Sequence, residues 1–297
     1  MKNRLVSIII NCFNGEKYLS KTLNSVLSQN YRNFEVIFID NCSNDLSAKI
    51  FKKINDKRFK YFKTKKKINL YAARNLGLRK SSGHFVAFLD ADDWWEKNFL
   101  SSKKSFFSSS EKYAFSYANC YHYYENRNKF EVFFKEKLPS GNILDDLLRY
   151  YFIKLSTIIV KKKVAKIYRF NPKYNIIGDY DFVIRIAEKF QGKSFQDKLV
   201  NIRIHKDNFT HNNRKMFYKE YKHWIENQNF NSLIFKKNKH YLLEKLEYLR
   251  LIYLLLNYKR FKLIFDIMRF PSFNLKLKLI LIYCIPKFLL RLKIKYF

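Results

Sequence analysis

Gly83-His84-Phe85-Val86-Ala87-Phe88-Leu89-Asp90-Ala91-Asp92-Asp93-Trp94 is an apolar run of strand length that ends in three carboxylates within four residues. A continuous apolar run of this length reads as a strand buried on both faces. Acids at the carboxyl end of such a strand stand where open α/β sheets place their ligands. Asp90 and Asp92, one residue apart in extended backbone, point to the same side and can share one divalent cation. Taken alone, Asp-x-Asp is also a common turn or helix-cap pattern, so its meaning depends on its surroundings.

Those surroundings alternate. Leu5–Ile10 is a β-rich run, Asn14-Gly15 turns the chain, and Leu19, Leu23, Val26 and Leu27 recur at helical spacing up to Gln29. Phe34–Ile39 predicts the next strand, ending in Asp40. Asp45 is a candidate N-cap for a helix through Leu46, Ile50 and Ile54. Phe59–Phe62 reads as a short strand, Ala72–Arg79 as a short helix and Phe85–Leu89 as the strand before the acids. Strands alternating with helices of this length predict βαβ units and a mostly parallel, doubly wound α/β sheet.

Past residue 110 the pattern changes. Tyr113–Asn119, Phe130–Phe134 and Ser156–Lys161 read as further strands, some antiparallel. A helix with Phe182, Ile186 and Phe190 is expected after the acids Asp179 and Asp181, then a last edge strand at Leu199–His205. From about Tyr218 the chain is basic, leucine-rich and helical. This divides it into a domain at 1–215, with halves 1–110 and 111–215, and a helical extension at 216–297.

The chain carries 59 Lys+Arg against 25 Asp+Glu, a net charge of +34, which favours anionic partners: nucleic acid, anionic lipid or nucleotide phosphate. Nucleic acid is disfavoured, because no recognised binding motif is present and acids at strand ends repel phosphate unless a metal intervenes. Cys12, Cys42, Cys120 and Cys284 are scattered without a Cys-x-x-Cys pair, which argues against zinc or a disulfide framework and for a reduced, cytosolic setting. No stretch reaches about 18 uncharged apolar residues, so no transmembrane helix is expected.

Four segments in order resemble family 2 glycosyltransferases with the GT-A nucleotide-sugar fold, a Rossmann-like sheet flanked by helices. They are Val6–Asn14, Val36–Asp45, Ala73-Arg74-Asn75-Leu76-Gly77 and Phe88–Asp93; Ile177–Phe182 with Arg185 resembles the acceptor-side acid motif. The resemblance implies an inverting, metal-dependent transfer of sugar from a nucleotide-sugar, read as UDP-linked, to a glycan or lipid-linked acceptor in bacterial surface polysaccharide synthesis. It places Asn11, Phe13, Asp40 and Asn41 around the base and ribose. A carboxylate can accept from a base N–H or a ribose hydroxyl, and an aromatic ring can stack on the base. Asn41 and Cys42 depart from the usual Asp-Asp-Gly-Ser, which loosens the inference about the base, and Asp40 also suits a turn.

By the same resemblance Arg74 flanks the diphosphate, and Asp90, Ala91 and Asp92 form the donor-side Asp-x-Asp. Asp92 is then the principal Mn²⁺ or Mg²⁺ contact. Asp179 becomes the base that takes the acceptor's proton, with Asp181 the runner-up, although Gly178 stands where the family usually has Glu; helix capping is the competing role for both. His205, in Arg203-Ile204-His205, is open to phosphate contact, metal ligation or a structural role. Trp94 and Trp95 are expected to pack in the core. A relative retained only for binding is the alternative, which the intact acids oppose.

The extension has two readings. Leu242, Leu246, Leu249, Tyr253 and Leu256 form a stripe at helical spacing that could pack on the catalytic domain. Beyond Asp266 there is no acid, while Arg269, Lys276, Lys278, Lys287, Arg291, Lys293 and Lys295 intersperse apolar residues broken by Pro271 and Pro286. That mixture suits an anionic membrane interface, and implies a cytoplasmic protein held peripherally on the inner face of the membrane.

Overall fold

The apolar runs at Leu5–Ile10, Phe34–Ile39 and Phe85–Leu89 become strands whose side chains are buried on both faces, which obliges helices to cover both sides of the sheet. The computed structural model describes residues 4–108, 112–257 and 263–285. Its first elements follow the expected alternation: β1 (Val6–Cys12), α1 (Glu16–Leu27), β2 (Phe34–Asp40), α2 (Ser47–Lys52), β3 (Phe59–Lys63), α3 (Leu70–Lys80) and β4 (Phe85–Asp90). Next come β5 (Trp94–Trp95), α4 (Lys104–Ser108), β6 (Tyr113–Ala118), β7 (Tyr121–Tyr124), β8 (Lys129–Val132) and α5 (Leu144–Arg149). They are followed by β9 (Ile159–Lys161), α6 (Lys162–Tyr168), α7 (Gly178–Ala187), β10 (Gln191–Phe195) and β11 (Val200–Ile204).

The main sheet has seven strands in the order β10-β6-β9-β4-β1-β2-β3. β1 is parallel to both β2 and β4, so the chain winds outward through β2 and β3 and returns to the other side of β1. The strand order therefore reverses between β1 and β4, and at their carboxyl ends Asn11 lies in register with Asp90. That switch point is where a doubly wound sheet opens a ligand crevice. β9 runs antiparallel between β4 and β6, while β10 is parallel to β6.

One buried acid fixes how β4 enters the sheet. Glu35 accepts from Ser7 Oγ (2.6 Å), Ser82 N–H (2.6 Å) and Lys60 Nζ (2.7 Å). Burial alone would raise its pKa, but hydrogen bonds from Lys60, Ser7 and Ser82 outweigh that and hold it at about 2. Ser7 Oγ in turn accepts from Gly83 N–H at 2.8 Å. A Cβ at Gly83 would lie 2.7 Å from the Leu5 carbonyl oxygen, which is why the decisive stretch opens on glycine.

Three expectations are corrected. β11 is not an edge strand: it lies between β5 and β7 in a second sheet of order β5-β11-β7-β8. The partners that cover it, Trp94–Trp95 and Tyr121–Tyr124, are too short or too uniformly aromatic to show a strand period. Asp179 and Asp181 do not precede a helix but sit in the first turn of α7, where the helix dipole favours negative charge. Asp45 serves two helices at once, accepting from Ser47 N–H (2.9 Å) and Glu16 N–H (2.9 Å), while Glu16 returns a bond to Leu46 N–H; α2 ends at Lys52, short of Ile54.

The chain divides into two compact units, Met1–Ile204 and His205–Phe297. The second unit contains α8 (Phe209–Asn212), α9 (Arg214–Glu226), α10 (Leu233–Asn257), α11 (Leu263–Met268) and α12 (Phe273–Cys284). Its own core joins Leu251, Leu255, Ile267, Leu279 and Ile282. Of the stripe read from the sequence only Leu242 is fully buried; the seam has turned toward Leu251 and Leu255.

Lys103 supplies a test of the first unit. Its Nζ is buried without a hydrogen bond, 4.0 Å from the centre of the Phe195 ring. Desolvation lowers its pKa from 10.5 to about 7, against a weaker opposing pull from Asp197. The unfolded chain then binds more protons than the fold between those values, so this residue's contribution to stability rises with pH from about 7 toward 10.5. Lys103→Met is expected to stabilise at neutral pH by ~1–3 kcal/mol and to flatten that rise, measured by denaturant melts at pH 6.5 and 9.5.

Candidate active site

Beyond β4 the turn 91–93 is fastened from three sides. Thr22 Oγ1 on α1 lies within hydrogen-bond reach of the carbonyls of Ala91 (2.9 Å) and Asp93 (2.7 Å). The Asp93 carboxylate is turned inward and buried, accepting from Ser156 Oγ at 2.6 Å and from the Arg203 backbone N–H at 2.9 Å. Ser156 Oγ also accepts from Asp90 N–H, and Arg203 Nε donates to the Asp92 carbonyl at 3.0 Å. Burial first, then the charges of Asp92 and Asp90, push the Asp93 carboxyl well above the usual carboxylate range. With Asp93 committed to the interior, Asp90 is left with a side chain 41% exposed and Asp92 partly exposed.

Arg74, expected to flank the diphosphate, is buried. Its guanidinium is buried beneath Tyr71 and Phe170, 5.1 and 5.8 Å from their ring centres, and its Nη2 pairs with Asp90 at 2.6 Å. It fixes the orientation of an acid rather than waiting for one. Asp40 likewise does not face the crevice. It is fully buried, and its carboxylate takes bonds from Ser43 N–H (2.8 Å) and the Tyr61 hydroxyl. Asn41 accepts from Ile68 N–H (2.9 Å) and donates to Ile68 O (2.8 Å), tying the loop before α3 to β2. These two residues build the crevice wall.

Phe13 faces outward, while Asn11 is only partly exposed. Asn11 Nδ2 reaches Leu70 O at 3.4 Å, whereas its buried Oδ1 has no partner. Phe13 is 42% exposed, with Lys67 Nζ 3.5 Å from its ring centre. Cys42 takes a left-handed φ of +64° where the family usually has glycine. Burial raises the thiols of Cys12 and Cys120 to about 11 and about 12, so neither is a thiolate at neutral pH.

The two acceptor-side acids separate clearly. Asp181 is buried in an ion pair with Arg185, whose Nε and Nη2 approach Asp181 Oδ2 at 2.9 and 2.8 Å. Asp179 Oδ1 accepts from Tyr180 N–H at 2.9 Å and lies 3.3 Å from the Tyr71 hydroxyl, which also reaches Ile176 O at 2.6 Å. Asp179 acts electrostatically on Arg74 and on Asp90, so the acid in the first turn of α7 shares one cluster with the acids after β4. Gly178 now has a reason: a Cβ there would sit 2.6 Å from the Tyr71 ring, leaving no room for a glutamate.

His205 opens the second unit, with its Nδ1 accepting from Asp207 N–H at 3.3 Å. Among the described residues no group of three or more His, Cys, Asp or Glu side chains is arranged to hold a metal ion. Trp94 and Trp95 are core residues, and Trp95 Nε1 donates to Ser156 O at 2.8 Å. Sequence reading missed Thr22, Ser156 and Tyr71. Each acts through a neighbour far along the chain, and only the fold shows it.

A Rossmann-like sheet with outward acids at its switch point and a further acid across the crevice defines a glycosyltransferase of the GT-A type. Residues 7–155 match the family model described as Glycosyl transferase family 2, and the chain belongs to that family. It is 33% identical over 180 residues to the UDP-Glc:alpha-D-GlcNAc-diphosphoundecaprenol beta-1,3-glucosyltransferase WfaP of Escherichia coli, covering 61% of this chain and 68% of that one. It is 29% identical over 195 residues to the amylovoran biosynthesis glycosyltransferase AmsB of Erwinia amylovora, covering 62% and 64% of the two chains. The crystal structure of S. aureus TarS 1–349 in complex with UDP superposes with a TM-score of 0.65 at 21% identity, over 88% of this chain and 78% of that one.

The inward and outward acids predict opposite mutational profiles. Asp93→Ala removes the acceptor for two buried donors and is expected to cost ~2–4 kcal/mol in denaturant melts, whereas Asp92→Ala should stay within about 1 kcal/mol of wild type.

Proposed function

We propose that the protein is an inverting, metal-dependent glycosyltransferase that moves a sugar from a UDP-sugar to a lipid-linked acceptor in bacterial surface polysaccharide synthesis. The observation that carries this reading is the outward pair Asp90 and Asp92 at the switch point, in one charge cluster with Asp179. The relatives support the substrate classes: WfaP is named for UDP-Glc and a diphosphoundecaprenol-linked sugar, AmsB for amylovoran biosynthesis.

Two oxygen-only side chains one residue apart fit a hard cation such as Mg²⁺ or Mn²⁺, which draws its remaining ligands from water and phosphate oxygens. Asp92 and Asp90 would hold it, and when bound it would offset negative charge on the departing diphosphate. Arg74 keeps Asp90 aimed. Asn11 Oδ1 and the Phe13 face are the groups offered to the nucleobase, within walls set by Asp40 and Asn41. Asp179 takes the proton from the acceptor hydroxyl as that oxygen bonds to the anomeric carbon, and the bond to the nucleoside diphosphate breaks on the opposite face. One displacement of this kind inverts the anomeric centre. Asp181, held by Arg185, keeps α7 in place.

A lipid-linked acceptor requires access to a membrane surface. On α12, Phe273 and Leu277 are 70% and 43% exposed, with Leu281 one turn further on, and Lys278 lies on the same side. On α11, Phe265 and Met268 are exposed as well. Basic and apolar groups together at a helix surface suit an anionic interface, and we assign the second unit that role on the cytoplasmic face. No helix among the described residues is long and apolar enough to cross a membrane. Pro286, Lys287, Arg291, Lys293 and Lys295 lie outside the described residues.

Two experiments follow. EDTA should abolish sugar transfer and Mn²⁺ or Mg²⁺ restore it, with Asp92→Ala and Asp179→Asn each losing at least about 10²-fold while Asp181→Asn loses activity only in step with its stability. Full activity in excess EDTA would remove the metal from the account. Separately, the full chain should co-sediment with phosphatidylglycerol vesicles and release at high salt, since each well-placed basic residue contributes ~1 kcal/mol that salt screens. Sedimentation unaffected by replacing Phe273 and Leu277 with Ser would contradict the assignment.

A further inference from the structure

A buried polar atom without a partner is costly, and a native fold that keeps one at a site leaves it for something that arrives. Two such atoms belong to residues beside the carboxylate cluster. Asn11 Oδ1 stands opposite Asp90 and is already assigned to the donor. The other is the hydroxyl of Tyr151, which the reaction as described does not use.

Tyr151 lies in the extended segment between α5 and the 3-10 turn at Leu155–Thr157. Its ring meets Tyr180 edge-on, centroids 4.9 Å apart at 72°, beside the residue that carries the proposed base. The next two residues, Phe152 and Ile153, are fully buried, so the segment is anchored rather than loose. Tyr150 points away and is 70% exposed. The Tyr151 hydroxyl experiences the charges of Asp179 and Arg74 and the neighbouring Tyr71 hydroxyl.

That neighbourhood limits the missing partner. Burial, then the Asp179 charge, hold the phenol well above its ordinary pKa, so it stays protonated and offers a hydrogen. Asp179 does not take that hydrogen: the Tyr151 hydroxyl has no hydrogen-bond partner, and Asp179 Oδ1 is engaged by Tyr180 N–H and approached by Tyr71. An anion is disfavoured, since Arg74 is already neutralised by Asp90 and Asp179 adds negative charge. A neutral hydroxyl, able to accept from the phenol, fits.

We propose that the Tyr151 hydroxyl is a sugar-recognition contact, donating a hydrogen bond to a hydroxyl oxygen of the hexose held against Asp179. This rests on the reading of Asp179 as the reacting base. The hexose is either the unit being transferred or the acceptor sugar, and both present the same chemistry.

Tyr151→Phe keeps the ring and deletes only the orphan hydroxyl, with Tyr150→Phe as the control. The unliganded melting temperature of Tyr151→Phe should equal or exceed that of wild type. A fall of several degrees would show that the hydroxyl has a partner inside the protein and overturn the proposal. Calorimetry with Mn²⁺ then compares UDP, UDP-glucose and UDP-N-acetylglucosamine. If the transferred sugar is the partner, the two sugar-bearing ligands lose roughly tenfold in affinity relative to UDP. If the acceptor is the partner, that ratio holds while KM for a synthetic GlcNAc-diphosphoundecaprenol analogue rises roughly tenfold. No change in either overturns the contact. A wild type that binds none of the three nucleotides contradicts the UDP-sugar reading itself, a result distinct from the melting outcome, and the sugar contact falls with it.

Discussion

The geometry of the crevice depends on one carboxylate that is turned away from it. Asp93 is drawn into the protein by Ser156 Oγ and the Arg203 backbone, and this fixes which way its two companions face. Three acids within four residues repel one another. Unless one is buried and satisfied, nothing decides which pair is presented. Ser156 precedes β9 of the main sheet and Arg203 belongs to β11 of the second, so Asp93 also joins the two sheets at the crevice. The cost is a carboxyl group in the interior, tolerable only because both oxygens find donors.

The same logic governs the rest of the site. Arg74 and Asp40 are charged groups that the resemblance places near the donor, and both are buried and hold other groups in place. Arg74 aims Asp90; Asp40 closes the turn after β2. Asp181 is spent on Arg185 in the same way. What remains at least partly exposed is a smaller set: Asn11, Phe13, Asp90, Asp92 and Asp179. In the proposed reaction, preorganisation of this kind would keep these groups fixed before substrate arrives.

Much of this architecture was legible in the chain. Two-faced burial leaves continuous apolar runs, so β1, β2 and β4 announced themselves, and the acids after β4 marked the crevice. The second sheet was hidden because Trp94–Trp95 and Tyr121–Tyr124 carry no alternation, and β11 therefore looked like an edge. The division between outward and inward acids was equally invisible. It depends on Thr22, Ser156 and Arg203, which lie 69, 63 and 110 residues from the backbone or carboxylate groups they hold. Gly178 shows the converse: its departure from the usual glutamate is explained by the Tyr71 ring occupying the space.

The central claim is that Asp93 builds the turn while Asp92 and Asp90 face the ligand. Crystals soaked with Mn²⁺ and UDP test it directly through the anomalous signal of manganese. The account predicts one strong peak touching Asp92, Asp90 or both together with diphosphate oxygens, with Asp93 still bonded to Ser156 and Arg203. A peak ligated by Asp93, or UDP bound with its diphosphate away from these acids, would contradict it.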